Sequence, residues 1–336
     1  MAIGKAHRAL VTGLLGACLA ALPVAQAQNT QQNPPAPQQE EHEKIQQPLK
    51  VQVRVVNLFV TVRDKRNAIV TDLSKDDFKV YEDGKEQKVE FFSKEVNLPL
   101  TLGLLVDTSG SMEHMLPAEQ STASMFLERV MKKGDLTTLI SFDTDADLLT
   151  DFTGSIAELE RGLNRARVNE PFAPVTPGTV PDTHPRGTVF YDAVYLVARE
   201  KLGTEVGRRA IVVLTDAVDE GSRVRLEEAI EAAQRADAVV HILLIADPRY
   251  FFVQGSGAGV AHKMADETGG RMIEVKGAKN LPQAFEQLAE ELRSQYSLGY
   301  YSTNPTHDGR FRKIKVEVTH SDLKVLARKG YYAPRE

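Results

Sequence analysis

Between Pro99 and Tyr296, short apolar runs alternate with amphipathic segments. The apolar runs predict strands at 100–106, 136–142, 210–214, 239–246 and 271–275, with a shorter antiparallel edge strand near 147–152. The amphipathic segments predict helices at 117–131, 156–166, 189–202, 226–236, 260–268 and 281–295, and Asn280 with Gln283 resembles a capping box before the last one. Such alternation is typical of a parallel sheet covered by helices on both faces. We therefore expect an α/β fold with a doubly wound, mainly parallel, Rossmann-like sheet.

Strand patterns without helices lie on both sides of this α/β region. Before it, an Asp83-Gly84 turn separates two strand patterns, and after it Ile314, Val316 and Val318 alternate with charged residues. Each flank is too small to form a stable core alone. We therefore predict a small β-sandwich built from both flanks, with its N-terminal part at 49–97, the inserted α/β domain at 98–296 and its C-terminal part at 297–336.

The first residues have the pattern of a secretory signal peptide. Lys5 and Arg8 come before an apolar stretch, and Ala25-Gln26-Ala27 matches a cleavage site. We predict a signal peptide at 1–27 and a disordered Gln- and Pro-rich linker at 28–48. The mature chain is then secreted, periplasmic or associated with the cell envelope, without a transmembrane span. The second interpretation is a lipoprotein with its lipid on Cys18, the only cysteine of the chain.

The segment Asp107-Thr108-Ser109-Gly110-Ser111 follows the first strand of the α/β region and carries one carboxylate and two hydroxyls at the alternate positions 107, 109 and 111. Gly110 lets the backbone turn, so the side chains at 107, 109 and 111 can converge. Parallel sheets bind ligands at the carboxyl ends of their strands, where Thr188 and Asp216 are also expected. Because oxygen ligands suit Mg²⁺, we predict a cation site at this edge. The alternatives are a polar turn without an ion and, for Thr188, a helix N-cap.

The order and spacing of these motifs resemble the von Willebrand factor A (VWA) domain and its metal-ion-dependent adhesion site, over about residues 98–296. The resemblance implies hydroxyl ligation by Ser109, Ser111 and Thr188, with Asp107 and Asp216 coordinating directly or through water. It implies Mg²⁺ as the cation, with Mn²⁺ or Ca²⁺ as alternatives. Three of these ligands are neutral hydroxyls and only two are anions, so the cation favours an incoming carboxylate. The family uses this position to bind an acidic residue of a partner protein, often with a shift of the last helix.

The flanks resemble a secreted bacterial subfamily of VWA-related proteins. The segments that carry this resemblance are Asp76-Asp77-Phe78-Lys79-Val80-Tyr81-Glu82-Asp83-Gly84, Leu298-Gly299-Tyr300-Tyr301 and Arg328-Lys329-Gly330-Tyr331-Tyr332. The chain departs from the family at Ala217, where a glycine commonly follows the aspartate that corresponds to Asp216.

Two loops after strands carry further residues of interest. Tyr250, Phe251 and Phe252 are predicted to form part of a partner surface, the alternative being that they fold back on the core. The run 255–259, with glycine at alternate positions, is interpreted as a flexible loop rather than a phosphate cradle.

The leading hypothesis is a protein-binding module without catalytic activity. The alternatives are an envelope scaffold that uses its metal only for stability, and a phosphotransfer-type hydrolase with Asp107 as nucleophile. The hydrolase requires a second acid where Ser109 stands. The net charge of −5 and the lack of a basic block argue against nucleic acid as a partner.

Overall fold

Three β-sheets and six α-helices form the regular structure of the residues that this computed structural model describes, 55–94, 98–168, 187–245 and 257–335. The strands are β1 (Val55–Arg63), β2 (Phe78–Glu82), β3 (Lys85–Gln87), β4 (Val89–Ser93), β5 (Leu100–Asp107), β6 (Leu136–Phe142), β7 (Ala146–Thr153), β8 (Arg208–Thr215), β9 (Ala238–Ile245), β10 (Met272–Val275), β11 (Tyr296–Tyr301), β12 (Phe311–Val318), β13 (Lys324–Leu326) and β14 (Gly330–Tyr332). The helices are α1 (Leu116–Val130), α2 (Ile156–Leu163), α3 (Phe190–Leu196), α4 (Leu226–Arg235), α5 (Ala258–Thr268) and α6 (Leu281–Arg293).

A six-stranded sheet in the order β10-β9-β8-β5-β6-β7 forms the centre of the α/β region. Its strands are parallel except for β7, which runs antiparallel to β6 at one edge. All eight residues of β5 are buried, as expected for an inner strand with helices on both faces. One apolar cluster joins the sheet to α1, α2 and α6, and a second joins it to α3, α4 and α5. The predicted doubly wound fold class is therefore confirmed.

Two four-stranded antiparallel sheets contain the strands from both flanks. One has the order β13-β1-β11-β4, and the other has the order β14-β12-β2-β3. Val56 in β1 lies opposite Tyr300 in β11, and Val80 in β2 lies opposite Val316 in β12. The buried side chains of these strands form a third apolar cluster. Pairing between β1 and β11 brings together the segments before and after the α/β region, which themselves carry too few strands for a stable core.

The ends of two helices differ from the sequence prediction. The segment predicted as one helix at 189–202 consists of α3, a π-helical turn at Val197–Lys201 and a 3₁₀ turn at Leu202–Thr204. The capping box predicted at Asn280 is wrong, because Asn280 has helical backbone angles (φ −93°, ψ −11°) and its side chain makes no capping hydrogen bond. A capping side chain needs an extended backbone at that position, and the 3₁₀ turn Ala278–Asn280 prevents it.

Several predicted features lie outside the described residues. These are the signal peptide, the lipobox at Cys18, the linker at 28–48 and the aromatic residues Tyr250, Phe251 and Phe252. Within the described ranges, every helix is too short or too polar to cross a membrane. The described residues all belong to one compact unit, and the domain boundaries predicted inside it stay predictions.

Candidate functional site

The first loop of the site follows directly on β5, whose last residue is Asp107. The backbone N–H of Ser109 donates a hydrogen bond to Asp107 Oδ1 at 2.9 Å, which holds the loop against the end of the strand. A 3₁₀ turn at Gly110–Met112 then brings Ser111 beside Ser109, with 3.1 Å between their Oγ atoms. The oxygen-bearing side chains of Asp107, Ser109 and Ser111 therefore belong to one tight turn.

Asp107, the last residue of β5, is fully buried beside the neighbouring strand β8. Val106 pairs with Leu214, so Thr215 at the end of β8 reaches Asp107 and donates from Oγ1 to Oδ2 at 2.6 Å. Burial, followed by the negative charge of Asp216, raises the pKa of Asp107 well above its usual range. A carboxylate in this environment is stabilised by a positive charge nearby.

The loop that follows β8, called here the third loop because it is the last of three along the chain, begins with Asp216. Its Oδ1 accepts a hydrogen bond from the N–H of Val218 at 3.0 Å, and the N–H of Ala217 donates to Thr215 Oγ1 at 2.9 Å. Ala217 is buried and has a left-handed backbone, with φ of +59°. The glycine that the family commonly has there would adopt this conformation without strain. The turn is kept in this chain, at an energetic cost for alanine.

The second loop carries Thr188, which is buried and joined by its backbone to the third loop. Its carbonyl oxygen accepts hydrogen bonds from the N–H groups of Glu220 at 3.1 Å and Gly221 at 3.2 Å. The N–H of Val189 donates to the carbonyl oxygen of Asp143 at the end of β6, at 2.7 Å. These bonds hold the Thr188 backbone between two other loops at the carboxyl edge of the sheet.

Thr188 does not cap α3, contrary to the alternative interpretation of this residue. Val189 occupies the N-cap position, and its side chain makes no capping hydrogen bond. The first N–H groups of α3 are instead satisfied from the third loop: Tyr191 donates to Asp219 Oδ1 at 3.1 Å and Asp192 to Ser222 Oγ at 3.0 Å. The hydroxyl of Thr188 is therefore not used for capping.

Glu119 is a carboxylate near this site that was not predicted from the sequence. It lies in the first turn of α1, fully buried, and neither of its carboxylate oxygens has a hydrogen-bond partner among the described residues. Burial, followed by the charges of Asp107 and Asp216, raises the pKa of Glu119 well above its usual range. The sequence held a signal for it, because Glu119 falls on the apolar stripe of α1 that includes Leu116 and Ala123.

Gly257 is a second residue of the site that was not predicted. It precedes α5 and lies against the third loop: a Cβ at this position would be 2.2 Å from the carbonyl oxygen of Ala217 and 2.6 Å from that of Asp216. Only glycine permits this approach. Gly257 thus supports the backbone of Asp216, whereas the run that contains it was interpreted as a flexible loop.

The donors brought together here fit a hard divalent cation. Carboxylate and hydroxyl oxygens are the ligands that Mg²⁺ prefers, and Asp107 with Ser109 and Ser111 supplies them from one turn. Within the ranges described, no three His, Cys, Asp or Glu side chains converge as a metal site, so a cation here depends on the hydroxyls. Ligation by the five predicted residues stays a prediction.

Residues 102–218 match the family model of the von Willebrand factor type A domain, and this range contains all five predicted ligands. None of the curated proteins matches the chain. Among solved structures, it is similar to the von Willebrand factor type A protein of Catenulispora acidiphila, with 12% identity over 77% of this chain and 73% of that one and a TM-score of 0.46. It is also similar to BatB, a conserved hypothetical protein of Bacteroides thetaiotaomicron, with 18% identity over 57% of this chain and 98% of that one and a TM-score of 0.42.

A third similar structure is the vWF domain of the type V pili tip protein Mfa5 of Porphyromonas gingivalis, with 13% identity over 57% of this chain and 94% of that one and a TM-score of 0.40. All three TM-scores are low, so the assignment rests on the family match and on the sheet that it covers. The matched range begins inside β5, ends three residues after β8 and includes the loop that follows β5 and Asp216. This chain contains a von Willebrand factor type A domain.

Proposed function

We propose that this chain is an exported protein that binds a partner protein through a divalent cation, Mg²⁺, at the ends of β5 and β8. The hydroxyls of Ser109, Ser111 and Thr188 and the carboxylates of Asp107 and Asp216 hold the cation, and a carboxylate of the partner completes its coordination. The observation that carries this proposal is the turn after β5, where the Ser109 and Ser111 hydroxyls lie 3.1 Å apart beside the buried Asp107.

The electrostatics of the site support a bound cation. Asp107 is buried and close enough to Asp216 for the charge of one to oppose ionisation of the other. A divalent cation between such groups compensates charge that the apolar surroundings do not. An exposed polar turn does not need a cation, because water solvates its carboxylates. The alternative of a turn without an ion is therefore the weaker explanation.

Binding is favoured over catalysis by the environment of Asp107. A phosphotransfer nucleophile of this kind needs a second acid, but Ser109 stands at that position, and both oxygens of Asp107 accept hydrogen bonds, from Ser109 N–H and Thr215 Oγ1. We therefore propose that Asp107 anchors a cation and does not attack a substrate. VWA domains commonly mediate protein interactions, which agrees with this role.

Metal binding can be tested by thermal unfolding of the mature chain, residues 28–336, in excess Mg²⁺ and in EDTA. A ligand that binds only the native state stabilises it, by about 2.7 kcal/mol at a concentration one hundred times Kd. We expect this gain in the wild type and its loss in Asp107→Ala. Asp322→Ala is a matched control, since it removes an exposed carboxylate from the β-sandwich. A wild type that unfolds at the same temperature in Mg²⁺ and in EDTA would contradict the proposal.

Partner binding needs a second experiment. The tagged mature chain is used to capture proteins from cell-envelope extract in Mg²⁺ and in EDTA, beside Asp107→Ala and Asp322→Ala. The proposal requires a partner that is retained by the wild type and Asp322→Ala in Mg²⁺, and lost in EDTA and with Asp107→Ala. That loss must be reproduced when the acidic residues of the partner's contact region are neutralised. Stabilisation by Mg²⁺ without any such partner supports the scaffold alternative.

Export is tested by the N-terminus of the protein in the cell. Cleavage after Ala27 leaves a mature chain that starts at Gln28. Mass spectrometry of the protein from periplasmic and culture fractions should find this terminus. A lipid-modified N-terminus at Cys18 would instead support the lipoprotein interpretation.

A further inference from the structure

The third loop and the start of α3 are joined by two carboxylates, each of which accepts hydrogen bonds from the backbone of the other segment. In the third loop, Asp219 Oδ1 accepts a hydrogen bond from the N–H of Tyr191 at 3.1 Å. In the first turn of α3, Asp192 Oδ1 accepts from the N–H groups of Arg223 at 3.0 Å and Val224 at 2.9 Å. The start of α3, which follows the second loop, is therefore bound to the third loop in both directions.

Ser222 links the two aspartates. Its hydroxyl donates to Asp219 Oδ1 at 2.5 Å and accepts from the N–H of Asp192 at 3.0 Å. All three residues are half-buried, so water competes with these bonds only in part. Hydrogen bonds to an ionised carboxylate are also stronger than those between neutral groups. The three residues thus form one hydrogen-bonded unit between the two segments.

The backbones of the second and third loops are in direct contact beside the predicted ligand Thr188. The carbonyl oxygen of Thr188 accepts from the N–H groups of Glu220 and Gly221. Gly187 allows this approach, because a Cβ there would lie 2.9 Å from the carbonyl carbon of Glu220. Asp216, the other ligand predicted in these two loops, begins the third loop. The backbones of Thr188 and Asp216 therefore belong to segments that side-chain and backbone hydrogen bonds hold together.

The stiffness of a set of oxygen donors helps to decide which cation it accepts. Mg²⁺ requires nearly ideal octahedral coordination at about 2.0–2.1 Å, whereas Ca²⁺ accepts about six to eight oxygens at about 2.3–2.6 Å in variable geometry. Donors fixed at the shorter spacing exclude the larger ion, and donors that can move apart accommodate it. A site whose loops are held together should therefore discriminate against Ca²⁺.

We propose that Asp192 and Asp219 are positioning residues of the cation site, which fix the backbone of Thr188 relative to that of Asp216 and make the site selective for Mg²⁺ over Ca²⁺. This inference rests on the proposed function. The two carboxylates act through the loops and not as ligands, because backbone N–H groups of the joined segments donate to all four of their oxygens.

Calorimetric titration of the mature chain with Mg²⁺, and separately with Ca²⁺, tests this role. Asp192→Ala removes the acceptor for the third loop, and Asp219→Ala removes the acceptor for α3. In both variants we expect Mg²⁺ binding to weaken by about 10- to 100-fold, the range seen for residues that support metal ligands, and Ca²⁺ binding to weaken by less than about threefold, because its coordination is flexible. Asp192→Asn keeps an oxygen that can accept the same bonds and should restore most of the preference for Mg²⁺.

Asp64→Ala is the matched control. Asp64 is also half-buried, and its Oδ1 accepts hydrogen bonds from the N–H groups of Arg66 at 2.8 Å and Ala68 at 2.9 Å, in the loop after β1. The variant loses the same kind of bond in the β-sandwich. It should lower the unfolding temperature in EDTA, as Asp192→Ala does, but leave the Kd values of both cations unchanged. The control thus separates a loss of stability from a loss of position at the site.

The outcomes separate this inference from the proposed function. If the wild type binds neither cation, the proposed function fails and the inference fails with it. If the wild type binds Mg²⁺ without preference over Ca²⁺, or if Asp192→Ala and Asp219→Ala weaken both cations equally or neither, only the inference is overturned. If the alanine variants do not fold, Ser222→Ala takes their place, since it removes the hydroxyl that links the aspartates. The inference then requires the preference for Mg²⁺ to fall at least about threefold, a difference of about 0.7 kcal/mol.

Discussion

Arg63 in β1 donates a hydrogen bond from Nη2 to Oε2 of Glu291 in α6, at 2.6 Å. The side chains retain 6% and 1% of their accessible surface, so this ion pair is almost completely removed from water. It links a strand of the β-sandwich to the last helix of the α/β region, and α6 leads within a few residues into β11, which pairs with β1. The C-terminal end of α6 is therefore held to the sandwich by the chain itself and by a buried ion pair.

Arg63→Met should destabilise the protein strongly. Loss of one partner from a buried ion pair costs about 3–5 kcal/mol, because the remaining charge stays buried. We expect the lower end of this range, since Arg271 Nη1 lies 3.7 Å from Glu291 Oε2 and still compensates part of its charge. Urea unfolding measures the change in the free energy of unfolding.

The control for this prediction is another ion pair of α6, between Arg129 and Glu286. Its atoms are 3.0 Å apart, but about half of each side chain is exposed. Arg129→Met should therefore cost less than about 1 kcal/mol. Equal losses in the two variants would show that burial does not decide the strength of the Arg63 pair.

Much of the parallel sheet could be predicted because its strands are buried on both faces. β6 is an example: its apolar run is bounded by Asp135 and Asp143, and the predicted range 136–142 equals the observed one. The pair Arg63–Glu291 has no such local signal, since it joins residues 228 positions apart whose burial depends on the packed fold. Glu119 is intermediate, because its place on the apolar stripe of α1 was visible but its neighbours were not.

Ala217→Gly should stabilise the protein slightly. Ala217 has φ of +59°, and the left-handed conformation costs a residue with a Cβ about 1–2 kcal/mol. Glycine relieves this strain, although its greater freedom in the unfolded chain removes about 0.4–1 kcal/mol of the gain. We expect a net increase of up to about 1 kcal/mol in the free energy of unfolding, measured with urea in EDTA.

Ala157→Gly is the matched control for this substitution. Ala157 is an exposed residue of α2, where glycine costs about 1 kcal/mol relative to alanine. The same chemical change should thus have opposite signs at the two positions. A loss of stability in Ala217→Gly as large as that in Ala157→Gly would show that the left-handed turn carries no strain.

Gly257→Ala should disturb both stability and cation binding. The new methyl group would lie 2.2 Å from the carbonyl oxygen of Ala217, so one of the two backbones must move. Overpacking of this kind costs about 1–3 kcal/mol, and the displaced backbone is the one that carries Asp216. We expect weaker Mg²⁺ binding in calorimetric titration together with a lower free energy of unfolding.

Gly259→Ala tests whether the position of the glycine matters. Gly259 lies in α5, and an added Cβ has no described atom within 4 Å. Alanine should therefore stabilise this helix by about 0.5–1 kcal/mol and leave Mg²⁺ binding unchanged. If both variants bind Mg²⁺ like the wild type, Gly257 has no part in holding the third loop of the site.

The site could be predicted in part because its polar residues follow apolar strands directly. Asp107 and Asp216 each come within one residue of a strand end, and the order of strands in a parallel sheet brings neighbouring ends together. Gly257 could not be recognised in this way, because its role depends on a close approach of two backbones. The positive φ of Ala217 was equally hidden, since alanine seldom adopts that conformation.

The stability of the protein should depend on pH through His241. This residue is buried in β9, and neither ring nitrogen has a hydrogen-bond partner in the described part of the chain. Burial lowers the pKa of His241, while Glu291 acts in the opposite direction and Arg208, Arg271 and Arg63 again lower it. The imidazole therefore stays neutral in the folded state at a pH where the unfolded chain already binds a proton.

The wild type should consequently lose stability as the pH falls below about 6.5, the ordinary pKa of histidine. Below that value the unfolded state binds one more proton than the folded state, which lowers the free energy of unfolding by about 1.4 kcal/mol per pH unit until the folded-state pKa is reached. His241→Gln has no titrating group there and should lack this contribution. Urea unfolding at pH 8, 7, 6 and 5 measures both proteins. Their difference should be constant between pH 8 and 7 and then change in favour of the variant, whereas parallel curves down to pH 5 would mean that His241 titrates normally in the folded protein.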